Sequence, residues 1–224
     1  MTDETLMHPA DDQTMGPRLS ASAPARKRPK PGERRVQILQ TLAEMLESPA
    51  SERITTAALA ARLEVSEAAL YRHFASKAQM FEGLIEFIEQ TVFSLINQIV
   101  DRESGSAVAG DAGQRQAFRI VAMLMQFAEK NPGMARVMVG DALVLENERL
   151  QQRMNQFFDK IEATLRQCLR SDAQAVSPTP SVDAQVRAAV LVAFSVGRLQ
   201  RFVRSGFRRA PSEHLDASLT VMQG

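Results

Sequence analysis

The residues best suited to chemical recognition lie between Ile54 and Phe74, in the segment ITTAALAARLEVSEAALYRHF. Thr55 or Thr56 and then Ser66 are residue types that cap helix N-termini, and each precedes a short apolar run. The segment therefore predicts two short helices joined by a turn of about three or four residues. In such a unit the second helix protrudes from the surface. It is narrow enough to enter the major groove of DNA, which is about 12 Å wide.

Side chains within this helix-turn-helix divide by role. Hydroxyl, phenol and amine groups suit phosphate oxygens, whereas Ala68, Ala69 and Arg72 could meet base edges. His73 could read a base, but packing or capping at the helix end is the favoured interpretation. The predicted DNA-binding residues are Arg34, Arg35, Thr55, Thr56, Ser66, Glu67, Ala68, Ala69, Tyr71, Arg72, His73 and Lys77.

Charge is distributed unevenly along the 224 residues, although the formal net charge is only +1. Residues 26–77 contain ten Lys or Arg and six Glu, whereas residues 78–224 are balanced. A local excess of positive charge favours contact with phosphates, because neutralising them releases counterions. A merely solvated charged segment is the alternative on charge alone.

The elements that must position these residues are all predicted to be helical. Residues 1–32, which contain five prolines and end in a basic arm, predict a disordered tail. Periodicity from Glu33 predicts a first helix with Val36, Leu39, Ala43 and Leu46 on its apolar stripe. The second helix ends at about Leu63, and Ser66 caps the third.

Further helices are predicted over residues 77–102, 115–130, 133–139, 142–170 and 182–205, with a last one after Pro211. Residues 104–113 and 171–181 predict a flexible loop and a linker. The expected fold class is all-α, with a DNA-binding head at 33–78 and a larger helical body at 79–224.

Composition and motifs exclude several classes of protein. The lone Cys168 offers no disulfide partner within the chain, which is typical of a reducing cytoplasm. Hydrophobic residues make up 45% of the chain, but no apolar run approaches the roughly 20 residues of a membrane-spanning helix. Glycine-rich phosphate loops, zinc-ligand spacing and nucleophile elbows are missing from the sequence. We therefore expect a cytoplasmic protein with no enzymatic activity, cofactor, metal or membrane span.

The helix over residues 182–205 predicts a dimer. It is apolar nearly all round between Ala188 and Phe194, which the core of one monomer would struggle to cover. Ala189, Ala193 and Gly197 would let it pack closely against its twin. A two-fold dimer would present two third helices to successive major grooves. A fully buried central helix of a monomer is the alternative.

The segment TTAALAARLEVSEAALYRHFASK resembles the DNA-binding domain of the TetR family of bacterial regulators. This resemblance implies a three-helix DNA-binding head, a helical ligand or partner domain, and a homodimer on a palindromic site. One departure is Glu64, where the family usually has glycine in the turn. A non-glycine residue in a left-handed conformation costs about 1 kcal/mol.

Further segments resemble one branch of that family, the nucleoid occlusion factors. They include MFEGLIEFIEQ, GDALVLENERLQQRMNQFFDKIEATLRQ and RFVRSGFRRAP, and they cover most of residues 33–215. The resemblance implies a nucleoid-associated protein that binds specific chromosomal sites, as one or several dimers, and then antagonises polymers of the tubulin-like division protein FtsZ. The FtsZ tail is expected in a groove between the fourth and fifth helices, at Phe87, Met123, Gln126, Lys130 and Asn131. Ordinary core positions are the alternative for Phe87 and Met123.

A different function remains open at this point. The chain could be a TetR-type transcriptional repressor whose helical body binds a small molecule. Its pocket would be lined by Met123, Met125, Phe127, Met154, Phe157 and Phe158. Apolar residues at helical spacing are more often plain core.

Overall fold

The structure, a computed structural model, describes residues 32–48, 54–104, 111–144, 146–176 and 178–223. These residues form α-helices and one 3₁₀ turn, with no strand among them, which confirms the all-α prediction. The predicted tail and most of the 104–113 loop lie outside the described residues. The helices are α1 (Glu33–Leu46), α2 (Thr56–Arg62), α3 (Glu67–Tyr71), α4 (Lys77–Ser104), α5 (Ala112–Lys130), α6 (Pro132–Met138), α7 (Glu148–Val176), α8 (Pro180–Arg204) and α9 (Leu215–Val221).

Helices α1 to α3 form a small head whose apolar centre is continuous with the core of the body. Ile38 and Leu42 of α1 are buried in one cluster with Leu59 of α2 and Leu70 of α3. Phe74, which follows α3, is buried in the same cluster. The prediction for α1 was wrong at Val36, which is 50% exposed. The buried stripe of α1 passes instead through Ile38 and Leu42, one helical turn apart, because α1 packs on α4 and α6 as well as on α2.

The body is a bundle in which α4 leads away from the head, α5 returns, α7 leads away again and α8 returns. Asp172 near the end of α7 lies beside the start of α5, while Ser212 after α8 bonds to Glu129 near the end of α5. The ends of α5 and α8 therefore lie at the same end of the body. This is also the head-proximal end, since α6, directly after α5, packs on α1.

Two helix boundaries differ from the prediction, and the first differs because of a contact distant in sequence. Helix α5 begins at Ala112, not at 115: the carboxylate of Asp172 accepts bonds from the Gly113 and Gln114 amides at 3.1 and 2.6 Å. Two of the unpaired N–H groups at the helix start are thereby satisfied. In addition, α7 continues through most of the predicted 171–181 linker, to Val176.

The predicted helix over 142–170 also begins too early. Asp141–Leu143 forms a 3₁₀ turn, and α7 starts only at Glu148. Asn147 accounts for the restart, because its side-chain oxygen accepts a bond from the Arg149 amide at 3.0 Å. Among the described residues, no helix combines the length and apolar character needed to cross a bilayer.

Candidate nucleic-acid interface and partner surface

Two side-chain caps fix the direction of α3 relative to α2. The Thr55 hydroxyl accepts a bond from the Ala58 amide at 3.1 Å, and the Ser66 hydroxyl accepts one from the Ala69 amide at 3.3 Å. The turn between the helices is closed by the Val65 amide, which donates to the Ala60 carbonyl at 3.0 Å. Glu64 in this turn has φ 54°, the left-handed conformation that the sequence analysis assigned to it.

The outer face of α3 and the two residues that follow the helix are exposed. Glu67, Ala68, Arg72 and His73 are exposed and Tyr71 is 46% exposed, whereas Leu70 on the opposite side is buried. Ala69 is half-buried. The helix therefore presents two small side chains, a phenol, a guanidinium and an imidazole to solvent, which is a surface that a DNA groove could accept.

Several of the predicted DNA-binding residues hold the head together instead of facing solvent freely. Arg35 donates to the His73 carbonyl at 3.2 Å and its guanidinium lies 4.2 Å from the centroid of the Phe74 ring. Thr56 donates to the Glu67 carboxylate at 2.5 Å, which joins α2 to α3. Arg34 donates to Gln37 on its own helix at 2.8 Å. In the free chain Arg35 and Thr56 therefore position α3, whereas the Arg34 bond stays within α1.

Lys77, at the start of α4, has a partner in the body. Its ammonium forms an ion pair with Glu146, whose side chain is only 8% exposed, and lies 5.6 Å from the centroid of the Phe81 ring. A phosphate that binds Lys77 must therefore compete with this carboxylate. Sixty-nine positions separate the two residues, so periodicity or capping signals could not reveal the pair.

The residues predicted to bind a partner lie on α4, on α5 and at the end of α5. Phe87 is 45% exposed, Gln126 and Lys130 are exposed, and Met123 is half-buried against the core. Asn131 is half-buried, and its side-chain amide donates to the Phe127 carbonyl at 2.8 Å. Lys130 and Phe87 are thus accessible to a partner, whereas Asn131 ends α5.

A direct contact links the end of this surface to the head. Gly133 in α6 lies so close to α1 that a Cβ there would sit 1.9 Å from the Ala43 carbonyl oxygen. Arg136 reinforces the joint by donating to the Leu46 and Ser48 carbonyls, both at 3.3 Å, and to Asp141 at 2.7 Å. Neither role was predictable from local pattern, because both contacts join residues about ninety positions apart.

The predicted dimer helix α8 has an open apolar face. Val182, Val186 and Val190 are 60, 56 and 48% exposed, and all three lie on one stripe because they are spaced by one helical turn. Ala193 and Gly197 continue the stripe, and a Cβ at Gly197 would meet nothing within 4 Å. Beside Val182 and Val186 a cleft of about 810 Å³ separates α8 from α7. Ala189 is half-buried.

The side chains proposed for a ligand pocket inside the body pack as core. Met125, Phe127, Met154 and Phe157 are buried, and Phe157 makes edge contacts with Phe93 and Phe158 at 5.6 and 5.2 Å between ring centroids. Across the described ranges, no group of three or more His, Cys, Asp or Glu side chains is placed to hold a metal ion.

Two family models match this chain. Residues 38–84 match the bacterial regulatory proteins of the TetR family, and residues 115–223 match the SlmA-like form of the tetracycline repressor-like C-terminal domain. The first match spans the head and the start of α4, and the second spans α5 to α9.

The chain is also similar to proteins of assigned function. It is 48% identical over 190 residues to the nucleoid occlusion factor SlmA of Idiomarina loihiensis, covering 85% of this chain and 93% of that protein. The SlmA of Shewanella halifaxensis is 48% identical with the same coverage.

Solved structures of TetR-type regulators share the fold. FadR of Bacillus subtilis, solved with stearoyl-CoA, superposes with a TM-score of 0.65 at 13% identity, over 84% of this chain and 96% of FadR. NalD of Pseudomonas aeruginosa superposes with a TM-score of 0.65 at 19% identity, over 85% of this chain and 94% of NalD.

Proposed function

The chain belongs to the SlmA family of nucleoid occlusion factors, within the TetR group of bacterial regulators, and from this premise we propose that it keeps division septa off the nucleoid. It would bind specific palindromic chromosomal sites as a dimer and, when bound to DNA, antagonise FtsZ polymerisation. It would act at the nucleoid in the cytoplasm and would have no catalytic activity of its own. The observation that carries the proposal is the exposed outer face of α3, on a helix-turn-helix head that matches the TetR family.

The exposed groups on the outer face of α3 support DNA binding. Arg72 can donate two bonds to a guanine edge, and the methyl groups of Ala68 and Ala69 suit the thymine methyl group. Tyr71 and the hydroxyl hydrogen of Thr55 can donate to phosphates, with Ser66 and the backbone amides at the caps. Arg35, Thr56 and Glu67 would serve chiefly by holding α3 in place, since their side chains already bond across the head, whereas Arg34, whose bond stays within α1, would remain available to phosphate.

A dimer is supported by the open face of α8. Val182, Val186 and Val190 form an exposed apolar patch on one stripe, which a second copy of the chain could cover. The patch has the composition of an interface centre, because such centres contain few charged residues. The open space at Gly197 and the small side chains of Ala189 and Ala193 would let two α8 helices approach closely. Two-fold symmetry would then place two α3 helices on the halves of a palindrome.

The partner surface on α4 and α5 supports contact with the division protein. Phe87 offers an exposed ring, Met123 an adaptable thioether and Lys130 an exposed cation for an acidic peptide. Gln126 would add an exposed amide, and Asn131 would fix the end of α5. Because α6 begins directly after Asn131 and contacts α1 through Gly133, this surface adjoins the head.

Separating the two proposed surfaces tests the assignment. Lys130→Ala should leave DNA affinity unchanged, because Lys130 lies outside the head, and should weaken FtsZ binding. Arg72→Ala should weaken specific DNA binding by about 1–3 kcal/mol and leave DNA-independent contact with FtsZ intact. Fluorescence anisotropy with a DNA selected from a random pool, and with a labelled FtsZ tail peptide, measures both. A Lys130→Ala variant that keeps full affinity for the peptide would contradict the placement of this surface.

A further inference from the structure

A dense group of arginines lies at the end of α8 and directly after it, and has no role in the function proposed above. Residues 198–209, RLQRFVRSGFRR, contain five arginines and no acid. The overall neutrality of residues 78–224 conceals this local excess of positive charge. Within the part of the chain that the structure describes, Arg201, Arg204 and Arg209 are exposed and form no ion pair.

Three of the five arginines, Arg198, Arg201 and Arg209, line a cleft. The cleft has a volume of about 460 Å³ and lies between α8, the 205–214 connection and α9. Arg201 and Arg209 stand on its rim with His214, whereas Arg204 does not line it. Glu213 is the one acid on the rim, and its carboxylate lies 3.9 Å from the His214 imidazole. Ligand pockets in proteins commonly have volumes of about 300–1,000 Å³.

The bonds that fix the shape of the cleft do not involve the guanidinium groups of Arg201 and Arg209. Arg198 donates to the Glu213 carbonyl at 2.5 Å and to the Ser218 hydroxyl at 2.7 Å, and its guanidinium lies 4.9 Å from the centroid of the Phe194 ring. The Ser205 hydroxyl accepts a bond from the Arg209 amide at 2.9 Å. The backbone that carries Arg209 is therefore fixed before any ligand arrives.

Backbone strain marks the same connection. Phe207 and His214 have φ of 63° and 53°, left-handed values that cost energy for side chains other than glycine. Such outliers cluster at ligand sites. The negative C-terminal end of α8 would explain Arg201 and Arg204, which lie in its last turn, but it does not explain Arg209, which follows the helix.

We propose that this cleft binds a small organic molecule with two adjacent phosphate groups, as a nucleoside diphosphate carries. Arg201 and Arg209 would each hold phosphate oxygens through the planar guanidinium fork, which suits that geometry better than a lysine does. Phe194 and Pro211 supply an apolar wall for the ring of the nucleoside. None of the residues that line the cleft belongs to the outer face of α3 or to the valines Val182, Val186 and Val190, and Arg201 lies one helical turn beyond Gly197 at the end of the α8 stripe.

Calorimetric titration of the full chain without DNA tests the proposal, with ADP, pyrophosphate and adenosine as probes. ADP and pyrophosphate should bind and adenosine should not. Arg201→Ala and Arg209→Ala should each weaken ADP binding about tenfold or more. Arg204→Ala is the matched control, because it removes the same charge from the same surface outside the cleft, and it should bind ADP normally.

Three outcomes would overturn the proposal. They are no binding of either phosphate compound to the wild-type chain, equal weakening by Arg204→Ala and the cleft variants, and adenosine binding as tight as that of ADP. Equal weakening would indicate diffuse attraction to a basic surface. Since both substituted side chains are exposed and make no bond within the described residues, the variants should fold, and their unfolding curves check this. The readout involves neither DNA nor FtsZ, so its failure would leave the proposed function untouched.

Discussion

Val190→Ala is the substitution that tests the dimer face most economically. The Val190 side chain is 48% exposed in the single chain, and full burial of a valine stabilises by about 1.5–3 kcal/mol. Alanine lacks the two methyl groups of valine, each worth about 0.8 kcal/mol when fully buried, so covering the exposed half of them contributes about 0.8 kcal/mol per subunit. Two-fold symmetry places the residue twice in the interface, so the dimer should lose about 1.6 kcal/mol, or about 15-fold in Kd.

Sedimentation velocity over a series of protein concentrations measures this shift. Val144→Ala is the matched control, because Val144 is 68% exposed but lies in the 3₁₀ region, away from α8. Alanine is the better helix former, so the monomer fold of Val190→Ala should be intact. An unchanged dimer Kd for Val190→Ala, or an equal shift in both variants, would refute the assignment of the α8 stripe to the interface.

Three other predictions address different parts of the chain. Tyr71→Ala should weaken DNA binding about equally on specific and scrambled DNA in anisotropy titrations, with the salt dependence nearly unchanged because the phenol is uncharged and releases no counterion; a loss confined to specific DNA would remove it from the phosphate contacts. Gly133→Ala should lower the free energy of unfolding by about 1–3 kcal/mol in denaturant titrations, because its Cβ needs about 1.4 Å more room from the Ala43 carbonyl; an unchanged midpoint would show that α6 does not bear on α1 this closely. Burial raises the pKa of the Cys168 thiol, so the thiolate forms only above its ordinary pH range and alkylation of the native chain should stay slow at pH 8.5; alkylation as fast as in the denatured chain would contradict this.

Local signals in the sequence were sufficient for the caps of the head, but not for the buried stripe of α1. The left-handed turn at Glu64 was expected from the resemblance to the TetR family. The caps at Thr55 and Ser66 depend on residues within a few positions of one another, so residue type predicts them. The break at Asn131 and Pro132 was predictable for the same reason. The capping contact of Asp172 with α5 joins residues 58 and 59 positions apart, and the predicted start of α5 was wrong in consequence.

Long-range pairing also limited what could be predicted about the candidate site. Residue type indicated that Lys77 could contact phosphate, but it could not show the buried carboxylate of Glu146 beside it. Arg136 looks like any surface cation in the sequence, yet it donates to two carbonyl groups about ninety positions away. Such roles depend on tertiary contacts that periodicity does not encode. The five arginines at 198–209 can be read directly from the sequence. The net charge of residues 78–224 conceals them, because acids elsewhere in the body balance their charge.

The relation between DNA binding and FtsZ antagonism is the central claim, and sedimentation of FtsZ polymers tests it most directly. FtsZ would be assembled with GTP and pelleted after addition of this protein with either a palindromic DNA selected from a random pool or a scrambled DNA of equal length. Our account predicts that only the selected DNA lets the protein reduce the pelleted fraction, and that Lys130→Ala abolishes the reduction without loss of DNA affinity. Polymers that pellet equally with both DNAs, while the selected DNA still binds tightly, would contradict it.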